Sequence, residues 1–599
     1  MRKSIIFGLF LLAISLPVRA DKVPQEKAAA VAERYLGPAT KAAGGAVRLV
    51  GTWPQAQTKS ASQDPALYLF ERDGGGYAVV AADDVSLPVI GYSKSGSLTK
   101  AELPCNLRFI LDWHASIIDY ARTAGLQATD EILAEWSSAS VNDDPGVKLE
   151  TARWDQSGHP WNDMIPKLNG RECPVGCVAT AQAIILRYHE WPEKGTGTLP
   201  SYYWYSAGQQ MQGHELGHTY DWSQMPLDYV PGKYTDEQAH QMAQLQYDLA
   251  IMSQMDFHPA GSGATGDMPL LLAQYFGYDK QIKYQDWDYY TREAWEETIR
   301  AELDAYRPVF YGASNKNNEG HAFVLDGYQG PYFSINYGWT GAFNDYYLLR
   351  PSVSLPDAKV TEFCDWACMV TNIYPDRGGE VSVTFSDDAI VPFPWDYRSK
   401  SFPLGGRELN AQSSGEAEAT LGFVLFNRNG KFKATTTEPV VVSSTEPYMP
   451  ELTCNITCDI EDGDCIKIAR LKDDVWTPID QTASAYMTFH TGKKLSDLVS
   501  LDYSLGDVDY PTSTSKKPRL YITGVKEVYW EMWSEDYNEL LATSQTSFSI
   551  KKIDGKDFNE KIRWDKKTNQ YRFVFLYPSG NYRLMLRHFD EEVTLYVKL

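Results

Sequence analysis

Residues 173–189 read Cys173-Pro-Val-Gly-Cys-Val-Ala-Thr-Ala-Gln-Ala-Ile-Ile-Leu-Arg-Tyr-His189, and their pattern decides how the rest of the chain is read. A helix is predicted over Val178–His189, with Cys177 at its start. Unpaired N–H groups at a helix N-terminus favour negative charge, and the thiolate is the reactive form of cysteine. Ala179, Thr180 and Ala181 leave room beside the sulfur, while Ile184, Ile185 and Tyr188 supply a core face farther along. Taken alone, such a cysteine reads more readily as an inert buried residue.

Two later stretches supply its partners. His321 opens His-Ala-Phe-Val-Leu-Asp-Gly-Tyr328, an alternating strand that follows Gly320. Asn336 ends the next strand, Tyr332-Phe-Ser-Ile-Asn336. Cysteine, then histidine 144 positions on, then asparagine 15 beyond it, is the order and separation of papain-like sites. In that chemistry the imidazole takes the thiol proton and later protonates the leaving amine, while the asparagine amide orients the ring. Gln156 lies upstream, where its amide is placed to stabilise an oxyanion together with the Cys177 N–H.

Around this set the chain divides. Arg2 and Lys3, the apolar run Ile5–Leu16, and Val18 and Ala20 form a signal peptide over 1–20, with cleavage after Ala20. No cysteine follows that run, so no lipid anchor is expected, and the protein is exported: secreted, periplasmic or on the cell surface. A first domain is assigned to 21–145, with a helix over 24–36, strands at Ala66–Phe70, Tyr77–Ala82 and Pro88–Tyr92, and a helix over Leu107–Ala124. The polar segment Ser137–Val147 reads as an exposed linker. The catalytic domain occupies 146–378, with helices over Thr235–Met255 and Thr291–Ala305 and strands at Pro308–Tyr311, His321–Tyr328, Tyr332–Tyr337 and Asp345–Leu349. From 379 to 599 short strands and turns, such as Val381–Phe385, Ala419–Phe426 and Tyr571–Tyr577, predict one or two β-sandwich modules. The expected class is α+β, a papain-like domain between an α+β prodomain and a β-rich C-terminal region.

Composition limits the alternatives. The 599 residues carry a formal charge of −22, which argues against a nucleic-acid binder that neutralises phosphates. Past residue 20 no apolar run is long enough to span a membrane. His214-Glu-Leu-Gly-His218 matches a zinc-peptidase pattern, but Gly208, Gly213, Gly217 and Pro226 make a stable helix there doubtful. It reads as a polar loop, with a zinc peptidase using His214, Glu215 and His218 as the rival. Three Cys-x3-Cys pairs lack neighbouring histidines at the two later positions, so no metal and no cofactor are expected. The Asp462-Gly463 turn brings Cys465 toward Cys458, a candidate disulfide. With 17 Trp and 38 Tyr, a surface- or carbohydrate-binding protein with a degenerate peptidase domain is the other class, with Tyr529, Trp530 and Trp533 as candidate stacking residues.

The chain resembles the streptopain family of secreted bacterial cysteine peptidases. The resemblance rests on Trp154-Asp-Gln156, Gly176 through Gln182, Tyr188-His189, Trp191-Pro192, Tyr220-Asp-Trp222, Gly261-Ser-Gly263 and Tyr275-Phe-Gly-Tyr278. Further matches are Gly320-His-Ala-Phe323, Asp326-Gly-Tyr328 and Asn336-Tyr-Gly-Trp339, with Gly76–Asp84 matching the prosegment. It implies a papain-like fold and an endopeptidase of protein and peptide substrates that prefers a hydrophobic residue at the second subsite. It also implies a zymogen held by its own prodomain, and substrate-binding roles for Trp339, Gly261, Ser262 and Gly263. Tyr337 stands where the family has tryptophan and Thr340 where it has glycine, and both departures are expected to alter the pocket beside the histidine.

Overall fold

A computed structural model describes residues 21–37, 45–54, 64–99, 103, 105–138, 141, 146–264, 267–314, 320–355, 366–389, 400–481, 485–489 and 491. It also describes the strands between 499 and 598. The predicted signal peptide, Cys364 and most of the predicted linker lie outside the described residues.

The N-terminal region is a helix, an antiparallel meander and two more helices. Helix α1 (Gln25–Leu36) buries Ala28, Val31, Ala32 and Tyr35, the stripe its spacing predicts. Strands β1 (Val47–Trp53), β2 (Leu67–Arg72), β3 (Tyr77–Ala81) and β4 (Val89–Ser93) pair in sequence order. β1 was not expected from the sequence: Gly51 interrupts its pattern, and the register shifts between Leu49 and Gly51. Helix α2 (Cys105–Ala124) follows, then α3 (Asp130–Ser137), also unforeseen, whose first turn is capped by the Thr129 hydroxyl accepting from Ile132 N.

Strands β5 (Val147–Lys148), β6 (Tyr202–Trp204), β7 (Gln209–Met211), β8 (Lys283–Asp286) and β9 (Val309–Ser314) alternate with four helices. These are α4 (Cys177–His189), α5 (Asp236–Met252), the single turn α6 (Leu272–Tyr275) and α7 (Arg292–Asp304). β10 (Gly320–Gln329), β11 (Tyr332–Asn336), β12 (Asp345–Tyr347) and β13 (Trp366–Thr371) complete the domain. Thr235 and Gln238 form a full capping box at the start of α5, and Thr291 caps α7.

The two regions share one sheet. Its order is β1-β2-β3-β4-β12-β11-β10-β9-β13-β8, with β5 added to β10. The junction is the pairing of Tyr346 with Tyr92 and of Tyr347 with Gly91, reinforced by Leu348 N donating to Ile90 O at 2.9 Å. One hydrophobic core runs across it, from Tyr35, Phe70 and Tyr77 to Phe333, Tyr337 and Tyr347. A second core, on the other side of the catalytic sheet, joins α4 and α5 through Ile184, Ile185, Leu245 and Leu249.

The C-terminal region is β-rich, as expected. Strand Glu418–Phe426 is central to a six-stranded sheet, and its Leu421, Phe423 and Leu425 share a core with Val383, Phe385, Phe402 and Leu404 of smaller sheets. Cys458 and Cys465 are not joined to each other, so the candidate disulfide is not formed. The reason is strand alternation: Cys458 packs on that core, whereas Cys465 pairs with Phe426 and packs on the opposite face with Val424 and Ala469. Trp530 is buried, and the Arg583 guanidinium lies over one face of the half-buried Trp533 ring. The side chain of Tyr529 lies outside the described residues.

Candidate active site

Cys177 opens α4 directly after Gly176, which takes φ 103°. Glycine is required there twice over: the backbone is in a region that side chains disfavour, and a Cβ would run into Met255 and lie 3.1 Å from Ser262 O. The Cys177 thiol is half-buried. Burial pushes it upward, and the backbone amides of Ala322, Val178 and Cys177 itself, which favour the thiolate, only partly offset this. The helix N-terminus alone therefore does not arm the sulfur; a base must take its proton.

The candidate base, His321, is carried by β10. The Ala322 amide that acts on the Cys177 sulfur belongs to the residue after His321, so the strand crosses the α4 N-terminus at the predicted histidine. His321 is half-buried and registered opposite Ala313 of β9. Asn336, fully buried at the end of β11, is opposite Val324 on β10. Its Nδ2 donates to Ala152 O at 2.8 Å and Thr151 Oγ1 at 2.9 Å, and its Oδ1 accepts from Gly338 N at 3.1 Å. A carbonyl can only accept and a backbone amide only donate, so the orientation of the amide is determined.

Gln156 is held beside the nucleophile by its own backbone: its carbonyl accepts from Val175 N at 2.7 Å, two residues before Cys177. The segment before it is strapped to the loop after Asn336, since Asp155 bridges Trp339 and Thr340 N donates to Trp154 O at 3.1 Å. Gln246 of α5 closes the frame, donating to Asp155 O and accepting from the Thr180 hydroxyl at 2.8 Å. Cys177, His321, Asn336, Gln156 and Trp339 are thus carried by elements in direct contact.

The glycine stretch divides in function. Ser262 is buried, donating to Pro174 O at 2.7 Å and accepting from His258 N, so its hydroxyl anchors the loop and is not offered to a substrate. Gly261 and Gly263 are exposed, with open space where a Cβ would stand. The two family departures also separate. Tyr337 is buried between Phe323 and Tyr347 in the core shared with the N-terminal region, away from the cleft, which corrects the expectation that it shapes the pocket. Thr340 takes φ 51°, the left-handed conformation that explains a glycine preference at this position.

The zinc pattern is not helical. Residues 214–218 form a loop bridged through Thr198 and Glu215, and Glu215 is exposed. His214 Nε2 and His218 Nε2 each lie 2.8 Å from a different oxygen of buried Asp248, which also accepts from Tyr220 at 2.7 Å and Gln244 at 2.9 Å. Both imidazoles are spent on a carboxylate, and among the described residues no group of three His, Cys, Asp or Glu could hold a metal ion.

Sequence reading did not single out Lys148 or Thr151, and it took Asp326 only as part of a family match, with no role. The signal for Asp326 was present: an aspartate inside a strand that is otherwise apolar.

A cysteine at a helix N-terminus, a histidine on the facing strand and an asparagine on the next define a papain-like cysteine peptidase site. Residues 154–347 match the model of the Peptidase C10 family, and residues 20–118 match that of the Spi protease inhibitor. Residues 154–347 thus form a Peptidase C10 family domain, preceded by a Spi-type inhibitor domain. The chain is 30% identical over 368 residues to the thiol protease/hemagglutinin PrtT of Porphyromonas gingivalis, covering 58% of this chain and 41% of that protein. To streptopain of Streptococcus pyogenes it is 26% identical over 300 residues, covering 47% and 73% respectively. The solved structure of Prevotella intermedia prointerpain A is 27% identical, with 55% of this chain and 99% of that one covered and a TM-score of 0.44. The chain thus spans less than half the length of the first of these relatives. No helix among the described residues is long and apolar enough to cross a membrane.

Proposed function

We propose that the chain is an exported cysteine endopeptidase made as a zymogen. The carrying observation is the placement of the Ala322 amide, next in sequence to His321, against the Cys177 sulfur. His321 removes the thiol proton, and the sulfur attacks the scissile carbonyl. The oxyanion is held by the Cys177 N–H and the Gln156 amide, and the tetrahedral adduct collapses as His321 protonates the leaving amine. Water, deprotonated by His321, then hydrolyses the thioester and returns the free thiol. Asn336 orients the imidazole, and the exposed backbone of Gly261 and Gly263 with Trp339 lines the substrate cleft.

The N-terminal region, 21 to about 145, is the intramolecular inhibitor; its match to an inhibitor family and its strand pairing with β12 support this reading. Cleavage within 138–152, by a second copy of the enzyme, releases activity. Casein hydrolysis tests the proposal. A thiol alkylator should abolish it and a metal chelator should leave it intact. Cys177→Ala and His321→Ala should each lower turnover by about three orders of magnitude or more, with Asn336→Ala milder. The Cys177→Ala chain should accumulate as precursor until active enzyme is added. Activity that survives alkylation but not chelation refutes the thiol mechanism.

A further inference from the structure

The amide of Asn336 does not stand alone. Thr151 donates its hydroxyl proton to Asp326 Oδ2 at 2.5 Å, and Lys148 Nζ meets Asp326 Oδ1 at 2.5 Å and Ser334 Oγ at 2.8 Å. Asp326 is 1% exposed, while the Lys148 side chain is 44% exposed and reaches in from the surface. The direction of every bond follows from valence. The carboxylate can only accept, so the single Thr151 proton goes to it; what remains on Thr151 Oγ1 is a lone pair, which accepts from Asn336 Nδ2. With Nδ2 engaged by Thr151 and Ala152, only Asn336 Oδ1 is left to face an imidazole N–H. Lys148 neutralises Asp326, whose charge would otherwise be buried without compensation.

Lys148 and Thr151 lie in the segment that joins the inhibitory region to the catalytic domain. The backbone there is fitted closely to β10: Val147 pairs with Tyr328, Lys148 with Gly327, and Leu149 N donates to Asp326 O at 2.7 Å. A Cβ at Gly327 would lie 3.0 Å from the Lys148 Cα, so the strand leaves no room for any larger residue at that position.

We propose that Lys148, Asp326 and Thr151 are positioning residues that set the Asn336 amide, so that the first residues after the processing site complete the catalytic unit. Cleavage that yields full activity therefore falls before Val147. The inference rests on the reading of Asn336 as the group that orients His321, and the test separates the two.

Full-length variants are converted by tagged wild-type enzyme, which is then removed, and kcat and KM are measured on a short peptide with active sites titrated by an alkylator. Thr151→Val should lower kcat about tenfold with KM held within about twofold, and Thr151→Ser, which restores the hydroxyl, should return kcat to within about twofold of wild type. Folded Thr151→Val with wild-type kcat overturns the proposal. Should that variant fail to fold, exposed Lys148→Met decides: kcat down about threefold at constant KM supports the relay, and unchanged kcat overturns it. Asn336→Ala is the reference. If it is impaired while Thr151→Val is not, the relay alone falls; if it turns over like wild type, the role of Asn336 and the relay fall together. N-terminal sequencing of the active form should give a start at or before Val147, and a fully active form starting anywhere after Val147 overturns the proposal.

Discussion

The ring of Tyr347 lies flat against the backbone of Gly91, where a Cβ would stand 2.7 Å from Cε1 of the ring. Tyr347 cannot yield: it is fully buried, and its hydroxyl is bonded to Tyr77 and to Phe343 O. This contact lies at the pairing of β4 with β12, where the N-terminal region is joined to the catalytic sheet. Gly91→Val should therefore weaken the junction by about 1–3 kcal/mol through overpacking. In a Cys177→Ala background the variant precursor should be cleaved faster by added active enzyme. Equal cleavage rates for Gly91→Val and its parent would show that the junction does not restrain the linker.

Acid should loosen the same junction. His114 of α2 is buried with Nε2 3.3 Å from Leu348 O, and its Nδ1 has no partner. Burial lowers its pKa from 6.5 to about 4. The unfolded chain then binds the proton more readily than the folded one, so this contribution is present above about pH 6.5 and is lost as pH falls toward 4, on the order of 3 kcal/mol in all. His189, half-buried with Nε2 2.9 Å from Ile373 O and likewise lowered to about 4 by desolvation, adds a loss of the same sign within the catalytic domain. The urea midpoint of the Cys177→Ala precursor should fall between pH 7 and 4.5. His114→Phe should remove part of that slope and leave the His189 part. An unchanged slope in His114→Phe would assign the whole effect elsewhere.

Asp248 should matter for stability and not for metal. Burial works against its charge, yet bonds from His214, His218 and Tyr220 hold its pKa below the usual carboxylate range, and Asp248 in turn raises that of His218. Replacing it with alanine strands four polar partners, His214, His218, Tyr220 and Gln244, at a cost of about 3 kcal/mol in chemical denaturation. In Asp248→Asn the His218 titration, followed by NMR, should move down. Stoichiometric zinc binding by the wild-type protein, abolished in Asp248→Asn, would contradict this account.

A chain ending near residue 378 should keep peptide turnover. The C-terminal region meets the catalytic domain through Ser382 N and Ser414 Oγ on Lys280 O and through Tyr289 on Asp388, all around β8. β8 is the edge strand of the shared sheet, with β13 and β9 between it and β10. For a short peptide, kcat/KM should stay within about twofold of the full-length enzyme, as expected for well-separated sites. Loss of turnover in a folded truncation would mean that the β-rich region completes the cleft.

The amino-acid order by itself determined the fold class and named the candidate catalytic set. Cys177, His321 and Asn336 are legible because helix and strand periodicities are local, and a nucleophile, base and orienting amide are chemically distinctive residue types at the ends of such elements. The loop character of 214–218 was legible for the same reason, from its glycines. Tertiary structure alone decided the rest. Backbone pairing between β4 and β12 is blind to side-chain identity, so nothing in either strand announces that the inhibitory region extends the catalytic sheet. Cys458 and Cys465 are near in sequence but lie on opposite faces of one sheet, which only the register reveals. Tyr337 adjoins Asn336 yet points into the core shared with the N-terminal region, because successive residues of a strand face opposite ways and the side taken depends on what packs there. The link from Lys148 through Asp326 and Thr151 to Asn336 joins residues nearly two hundred positions apart, and hydrogen bonds of that kind exist only once burial has removed water as the competing partner.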